Sequence, residues 1–372
     1  MNLMDMNILI KPASGSCNMR CDYCFYRDEM SHRASPNRGM MSEEMLETVI
    51  RKTISQARRS YTLSFQGGEP TLRGLDFFRK AVELTRRYNT RNIPVSFALQ
   101  TNGLLINVEW AEFFRTNRFL IGVSLDGTEV TNDLHRKDTD GRGTYHRIVD
   151  AIDLLTSQKV DVNVLTVVHS ETAEHVSEIY KFYKEKGWKY LQFIACLEPL
   201  KTNAGEQEWS LTSERYASFL KGLFDIWYED YLLGDAPSIR QFDNWIGILN
   251  GRMPESCEQR GTCSVQTVVE ADGTVYPCDF YVLDEYHIGN LSVDTLDEIT
   301  LKGDRFGFEQ RSRACPDECR TCKWYGLCRN GCYRCRAGED CPQNIFCEVY
   351  KVFFEYCFDR MSMVAREQRE RC

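Results

Sequence analysis

The stretch CNMRCDYC places Cys17, Cys21 and Cys24 in a CxxxCxxC spacing. As thiolates these residues can ligate iron. Three ligands suit a 4Fe-4S cluster, which normally takes four cysteines, with one iron left open for a substrate or cosubstrate. Zinc is the competing assignment, but structural zinc closes a tetrahedral set of four and this loop offers three.

The chain has seventeen cysteines, with one more at Cys196 and thirteen from Cys257 onward. In a reducing compartment such density points to thiolate ligation of metal rather than to a disulfide framework. Thirteen thiols exceed what one cluster can use. The run CRTCKWYGLC, from Cys319 through Cys322 to Cys328, is followed by NGC, ending at Cys332. A zinc ribbon is the alternative reading of its CxxC. Cys196, Cys357 and Cys372 have no ligand spacing and read as ordinary thiols. One further stretch, VYPCDFY, sets Asp279 directly after Cys278, where a carboxylate could work as a general base or merely accept local backbone hydrogen bonds. The six histidines show no metal-ligand spacing and read as structural or exposed.

Residues 8–200 alternate short β-rich runs with longer helical patterns. Strands are expected at Ile8–Lys11, Leu63–Phe65, Val95–Leu99, Leu120–Ser124, Val160–Val168 and Leu191–Ile194. Helices are expected at Ser42–Arg59, read as opening on a Ser-x-x-Glu capping pattern, and at Glu171–Lys186. Six such units imply a parallel α/β sheet with right-handed crossovers, either a barrel or an open doubly wound sheet. The motifs PASGSCNMRCDYC, QGGEP, QTNG, SLDG and CLEP all follow strands, and sites in such folds sit at the carboxyl ends of strands. Gln66 and the run Gln100 to Asn102 could bind peptide backbone there, or could satisfy one another. Residues 211–255 read as a helical connector. The final third, 256–372, opens with a hairpin whose turn is Asp272-Gly273, then becomes a cysteine-dense segment that needs metal to order it.

Composition narrows the function. Hydrophobic residues make up 42% and charged residues 27%, as in an ordinary globular enzyme, and the net charge of -8 gives no footprint for nucleic acid. No run approaches the length of a membrane span. The N-terminal residues MNLMDMNILIK show no signal-peptide pattern, so a cytoplasmic location is expected. A chain with its own barrel, connector and cluster segment is consistent with a monomer.

The CxxxCxxC loop, with QGGEP after the second strand, resembles the radical S-adenosylmethionine (SAM) enzymes. The resemblance implies a partial (β/α)6 barrel over residues 1–210, with SAM chelating the open iron and cleaved there to a 5′-deoxyadenosyl radical. It also implies SAM contacts at Tyr23, Gly68, Ser124, Arg136 and Leu197. The later cysteines resemble the SPASM domain of peptide-modifying members, which houses two auxiliary 4Fe-4S clusters. That pattern implies Cys257, Cys263, Cys278 and Cys332 for one cluster and Cys319, Cys322, Cys328 and Cys347 for the other, making three in all. Cys315, Cys335 and Cys341 lie nearby and could shift an assignment by one position.

Over nearly the whole chain, LIKPAS, FQGGEPTL, LQTNG, SLDG and VYPCDFYVLDE look most like the anaerobic sulfatase-maturating enzymes. The resemblance implies oxidation of a cysteine or serine Cβ in an unfolded sulfatase polypeptide to Cα-formylglycine. It implies Asp279 as the base, an auxiliary cluster as electron acceptor, and flavodoxin or ferredoxin as low-potential donor. The rival readings are a SPASM maturase forming a thioether or carbon-carbon crosslink, and a non-catalytic iron-sulfur redox protein.

Overall fold

The computed structural model describes residues 5–202, 205–338 and 341–370, so Cys372 lies outside the described residues. In chain order the strands are β1 (Asp5–Ile10), β2 (Ser60–Phe65), β3 (Val95–Thr101), β4 (Phe119–Ser124), β5 (Asp161–Val168), β6 (Tyr190–Ala195), β7 (Ser238–Ile239), β8 (Val268–Val269), β9 (Thr274–Tyr276) and β10 (Gly289–Asn290), followed by β11 (Arg336–Ala337) and β12 (Gln343–Asn344). The first six match the expected strands. The chain forms two compact units. One comprises the residues up to Leu125, Asp133–Asn163 and Val265–Gly307; the other comprises Asp126–Asn132, Val164–Ser264 and the residues from Phe308.

In the first unit β1, β2, β3 and β4 pair in parallel in sequence order. Alternation drives this pairing: β1 buries Met6, Ile8 and Ile10, and β2 buries Tyr61, Leu63 and Phe65. Helices cross between the strands. Glu43–Ile54 starts where Ser42 accepts from Met45 N at 3.1 Å. The third residue after Ser42 is Met45, so the expected Ser-x-x-Glu capping box does not form, and the Glu44 carboxylate instead hydrogen-bonds the Ser42 side chain. Val265–Gly307, from the final third of the sequence, joins this unit because β8 pairs in parallel with β1 while β9 pairs antiparallel with β8. The expected turn is present, with Gly273 at φ +85°.

In the second unit β5, β6 and β7 run parallel. The helix expected over 171–186 is broken at His175 into Ser170–Glu174 and Val176–Glu185. Here His169 works as an N-cap, its Nδ1 accepting from Glu171 N at 3.2 Å. The connector is helical over Ser213–Leu233 and Arg240–Leu249 but also contributes β7. The helix Cys347–Glu370 packs on it through aromatic side chains, with Phe242, Trp245, Phe353 and Phe354 all buried. Cys357 is buried in this helix, in keeping with an ordinary thiol. Among the described residues, no helix is long and apolar enough to cross a membrane.

The first unit's core is also aromatic. Phe114 is fully buried, with ring centroids 5.4 Å from Trp110 and 5.3 Å from Phe119. Phe114→Ala is expected to cost about 3–5 kcal/mol, read as a lower urea midpoint with an unchanged slope.

Candidate functional site

The cysteine loop leaves β1 and is held by its backbone. Arg20 N donates to Lys137 O at 2.8 Å and Asp22 N to His135 O at 3.2 Å, while His135 Nδ1 lies 2.9 Å from Asp22 Oδ2. Cys17, Cys21 and Cys24 are half-buried, and none of the described cysteines is in a disulfide. Cys17 Sγ accepts from Met19 N at 3.3 Å and from Asn102 Nδ2 at 3.7 Å. Burial pushes the Cys17 thiol up to about 11, against the pull of the Met19 amide. Three thiols on one loop, one of them already met by N–H donors, fit the donor set of an iron-sulfur cluster.

The loop after β2 closes against this one. Gly67 and Gly68 both have positive φ, at +90° and +52°. A Cβ on Gly68 would stand 2.2 Å from Ser16 O, so glycine is required by the approach of the cysteine loop itself. Glu69 N donates to Ser16 O at 2.8 Å. The Glu69 carboxylate is buried and accepts from Thr71 N at 2.9 Å, Thr71 Oγ1 at 2.5 Å, Thr101 Oγ1 at 2.8 Å and Asn102 N at 2.7 Å. Burial raises its pKa, and the Asn102 and Thr71 donors oppose the rise. Thr101 and Asn102 therefore satisfy Glu69, and Asn102 also reaches Cys17. Sequence reasoning missed this role for Glu69, although the residue sits inside the QGGEP motif.

Four of the five expected SAM contacts lie in the first unit: Tyr23, Gly68, Ser124 and Arg136. Arg136 is only 7% exposed, which excludes a solvated charge, and its guanidinium lies 5.5 Å from the Tyr23 ring centroid. Ser124 is the last residue of β4. Leu197, partly buried and two residues past β6, lies in the second unit.

Asp279 begins a short helical turn directly after Cys278 and is 6% exposed. Its Oδ2 accepts from Tyr26 Oη at 2.6 Å and from Gln66 Nε2 at 3.0 Å, and its Oδ1 is 3.7 Å from Lys11 Nζ. The carboxylate therefore faces the loops that follow β1 and β2. Lys11, itself 1% exposed, also pairs with Glu29 at 3.8 Å and Glu270 at 3.7 Å, and Arg33 meets Glu270 at 2.7 Å. Three carboxylates share two cations here, so burial falls hardest on the group with least compensation. Burial pushes Glu29 up to about 8, while Lys11 opposes the rise. Burial would also raise Glu270, but Lys11 and Arg33 outweigh it and hold that carboxyl below its usual range. Burial raises Asp279, against Lys11 and the Tyr26 hydrogen bond. Tyr26, driven upward first by burial and then by Asp279, stays protonated as the donor. Sequence reasoning singled out Asp279 but not Lys11, Glu29, Glu270 or Tyr26, which the structure packs against it or against one another.

In the second unit Cys319, Cys322, Cys328 and Cys347 line one cavity. Burial takes Cys328 up to about 12. Gln343 Nε2 donates to Cys347 Sγ at 3.5 Å. Cys257, Cys263 and Cys332 lie within electrostatic reach of one another. Cys278 belongs to the first unit. Of the nearby extra cysteines, Cys335 donates to Cys332 and holds that thiol below the usual range, Cys315 sits within electrostatic reach of Cys319, and Cys341 is exposed. Among the described residues, no group of three or more His, Cys, Asp or Glu side chains forms a single-ion site.

These features define a class of enzyme, and family models agree. The radical SAM superfamily model matches residues 12–183, and the SPASM iron-sulfur cluster-binding domain matches residues 257–323. The chain is 43% identical, over 98% of its own length and 98% of the other's, to the cysteine-type anaerobic sulfatase-maturating enzyme of Clostridium novyi. It is 30% identical to the serine-type enzyme of Bacteroides thetaiotaomicron, over 97% of this chain and 91% of that one. The solved structure of anSMEcpe with bound AdoMet and Cp18Cys peptide superposes with a TM-score of 0.92 at 44% identity, covering 98% of this chain and 99% of that one. The chain belongs to the family of anaerobic sulfatase-maturating enzymes.

Gly68→Ala is expected to destabilise the cysteine loop beyond the left-handed backbone cost of about 1–2 kcal/mol. Gly141→Ala is the matched control, since Gly141 has φ +79° and nothing within 4 Å of a Cβ. Equal losses of stability in the two variants, measured by urea unfolding, would show that the Ser16 contact contributes nothing.

Proposed function

We propose that this chain oxidises the Cβ of a cysteine or serine in an unfolded sulfatase polypeptide to Cα-formylglycine. The observation that carries the reading is the placement of Asp279 beside Cys278, with its carboxylate turned toward the loops after β1 and β2. Cys17, Cys21 and Cys24 would hold the first 4Fe-4S cluster. Tyr23, Gly68, Ser124, Arg136 and Leu197 would bind SAM. Cys257, Cys263, Cys278 and Cys332, and Cys319, Cys322, Cys328 and Cys347, would hold the two auxiliary clusters. When bound, these groups supply the hydrogen-abstracting radical and the acceptor for the second electron.

The protein's own task is to place the target and take its proton. Gly68 lets the loop after β2 lie against the cysteine loop, and Arg136 offers a fixed positive charge for a carboxylate. Asp279 takes the proton of the target thiol or hydroxyl. Tyr26 and Gln66 fix its Oδ2, while Lys11 stabilises the anion. The relatives at 43–44% identity are cysteine-type and those at 30–34% are serine-type, which supports cysteine as the preferred target. A flavodoxin or ferredoxin would deliver the electron, to a monomer in the cytoplasm with barrel, connector and SPASM segments over 1–210, 211–255 and 256–372.

The test uses anaerobically reconstituted protein, SAM, dithionite and a peptide carrying the target residue. Wild type should hold about twelve irons per chain and should form aldehyde together with 5′-deoxyadenosine. Asp279→Asn keeps the shape and removes the base, so peptide conversion should fall about 10²–10⁴-fold. Conversion at near wild-type rate in that variant would remove Asp279 from the role, and a crosslinked product would replace the reaction assigned here.

A further inference from the structure

Arg336 carries no cysteine chemistry and stands outside every ligand set, yet its side chain is fully engaged. Guanidinium has five N–H donors in a planar fork. Nε donates to Asn330 O at 2.9 Å; Nη1 donates to Ser312 O at 2.6 Å and Ala314 O at 3.2 Å; Nη2 donates to Gly261 O at 2.9 Å and Gly331 O at 2.8 Å. All five donors meet main-chain carbonyls. The acceptors fall on three separate stretches: Gly261 between Cys257 and Cys263, Ser312 and Ala314 just before Cys315 and Cys319, and Asn330 and Gly331 between Cys328 and Cys332. Its ring partner is Tyr333, 5.6 Å away. Its charge reaches Cys263 in one proposed set and Cys319 in the other.

We infer that Arg336 is the positioning residue for both auxiliary ligand sets, a fixed cation that fastens three cysteine-bearing stretches by their backbones. The inference rests on the ligand sets proposed above. Two consequences follow from its chemistry. The fork aligns carbonyls from stretches up to 70 residues apart, which a lysine ammonium cannot do in the same geometry. A permanent positive charge near cluster sulfurs favours the reduced, more negative state, since net charge and hydrogen bonding set such potentials. Arg336 would thus keep both auxiliary clusters competent to accept the electron taken from the substrate.

The experiment compares full-length, anaerobically reconstituted wild type, Arg336→Gln and Arg336→Lys. It reads iron content, the midpoint potential of each cluster by EPR-monitored titration, and amide hydrogen exchange. Arg336→Gln should speed exchange at least tenfold in residues 257–263, 312–319 and 328–332, and should lower both auxiliary potentials while leaving the first cluster unchanged. Arg336→Lys restores charge without the fork, so the potentials should recover while fast exchange persists. If Arg336→Gln does not fold, exchange in Arg336→Lys decides. Unchanged exchange in a variant, beside wild type holding its full iron, overturns the inference. Wild type with only about four irons would instead overturn the auxiliary ligand sets on which it rests.

Discussion

Burying an ammonium is the constraint around which the first unit is arranged. Removing Lys11 from water costs several kcal/mol unless acidic groups surround it, and three such acids come from separate places in the sequence. Glu29 comes from the helix after the cysteine loop, Glu270 from the end of β8, and Asp279 from the turn after β9. Arg33 then balances Glu270. The result draws the β8–β9 hairpin onto β1 and fixes the orientation of the carboxylate beside Cys278. Three acids share two bases, so one carboxyl keeps its proton at neutral pH, and Glu29 is the one that burial selects.

A second arrangement of the same kind organises the cysteine loop. Glu69 spends all of its accepting capacity on the loops after β2 and β3, and through Asn102 it reaches the sulfur of Cys17. Glycine at 68 is what allows the loop after β2 to approach Ser16. Neither Glu69 nor Gly68 is therefore free to change for a similar residue, since one is defined by its four donors and the other by the absence of a side chain.

Much of this was legible in the sequence, and the limit is physical. The six strands could be read because alternation and apolar runs are local signals, and the hairpin because Asp272-Gly273 has a turn chemistry of its own. Cys17, Cys21 and Cys24 declare themselves by spacing. Lys11 reads only as the polar end of a strand, and Glu270 as a residue before a turn, because their meaning lies in contacts across more than two hundred positions. Arg336 is hidden for the same reason, since backbone carbonyls carry no sequence signature. The helix expected over 171–186 is divided at His175 because its apolar periodicity continues through the break between the two helices. The short β7 was masked by the helical residues on either side of it.

The pairing of β8 with β1 has a consequence for the order in which the protein can become itself. β1 finds one of its neighbours only when Val268 and Val269, far along the chain, have been synthesised. Until then Lys11 lacks Glu270 and Asp279, and the interior that will receive it would bury an ionised amine beside Glu29 alone. A nascent chain that has completed β1 to β4 thus holds an unfinished sheet edge and an unpaid charge together, and both are resolved by the same late segment. Long-range closure of this kind slows folding and ties the arrival of Asp279 to the completion of the sheet, so that its carboxylate takes its place only in a chain whose first unit is whole.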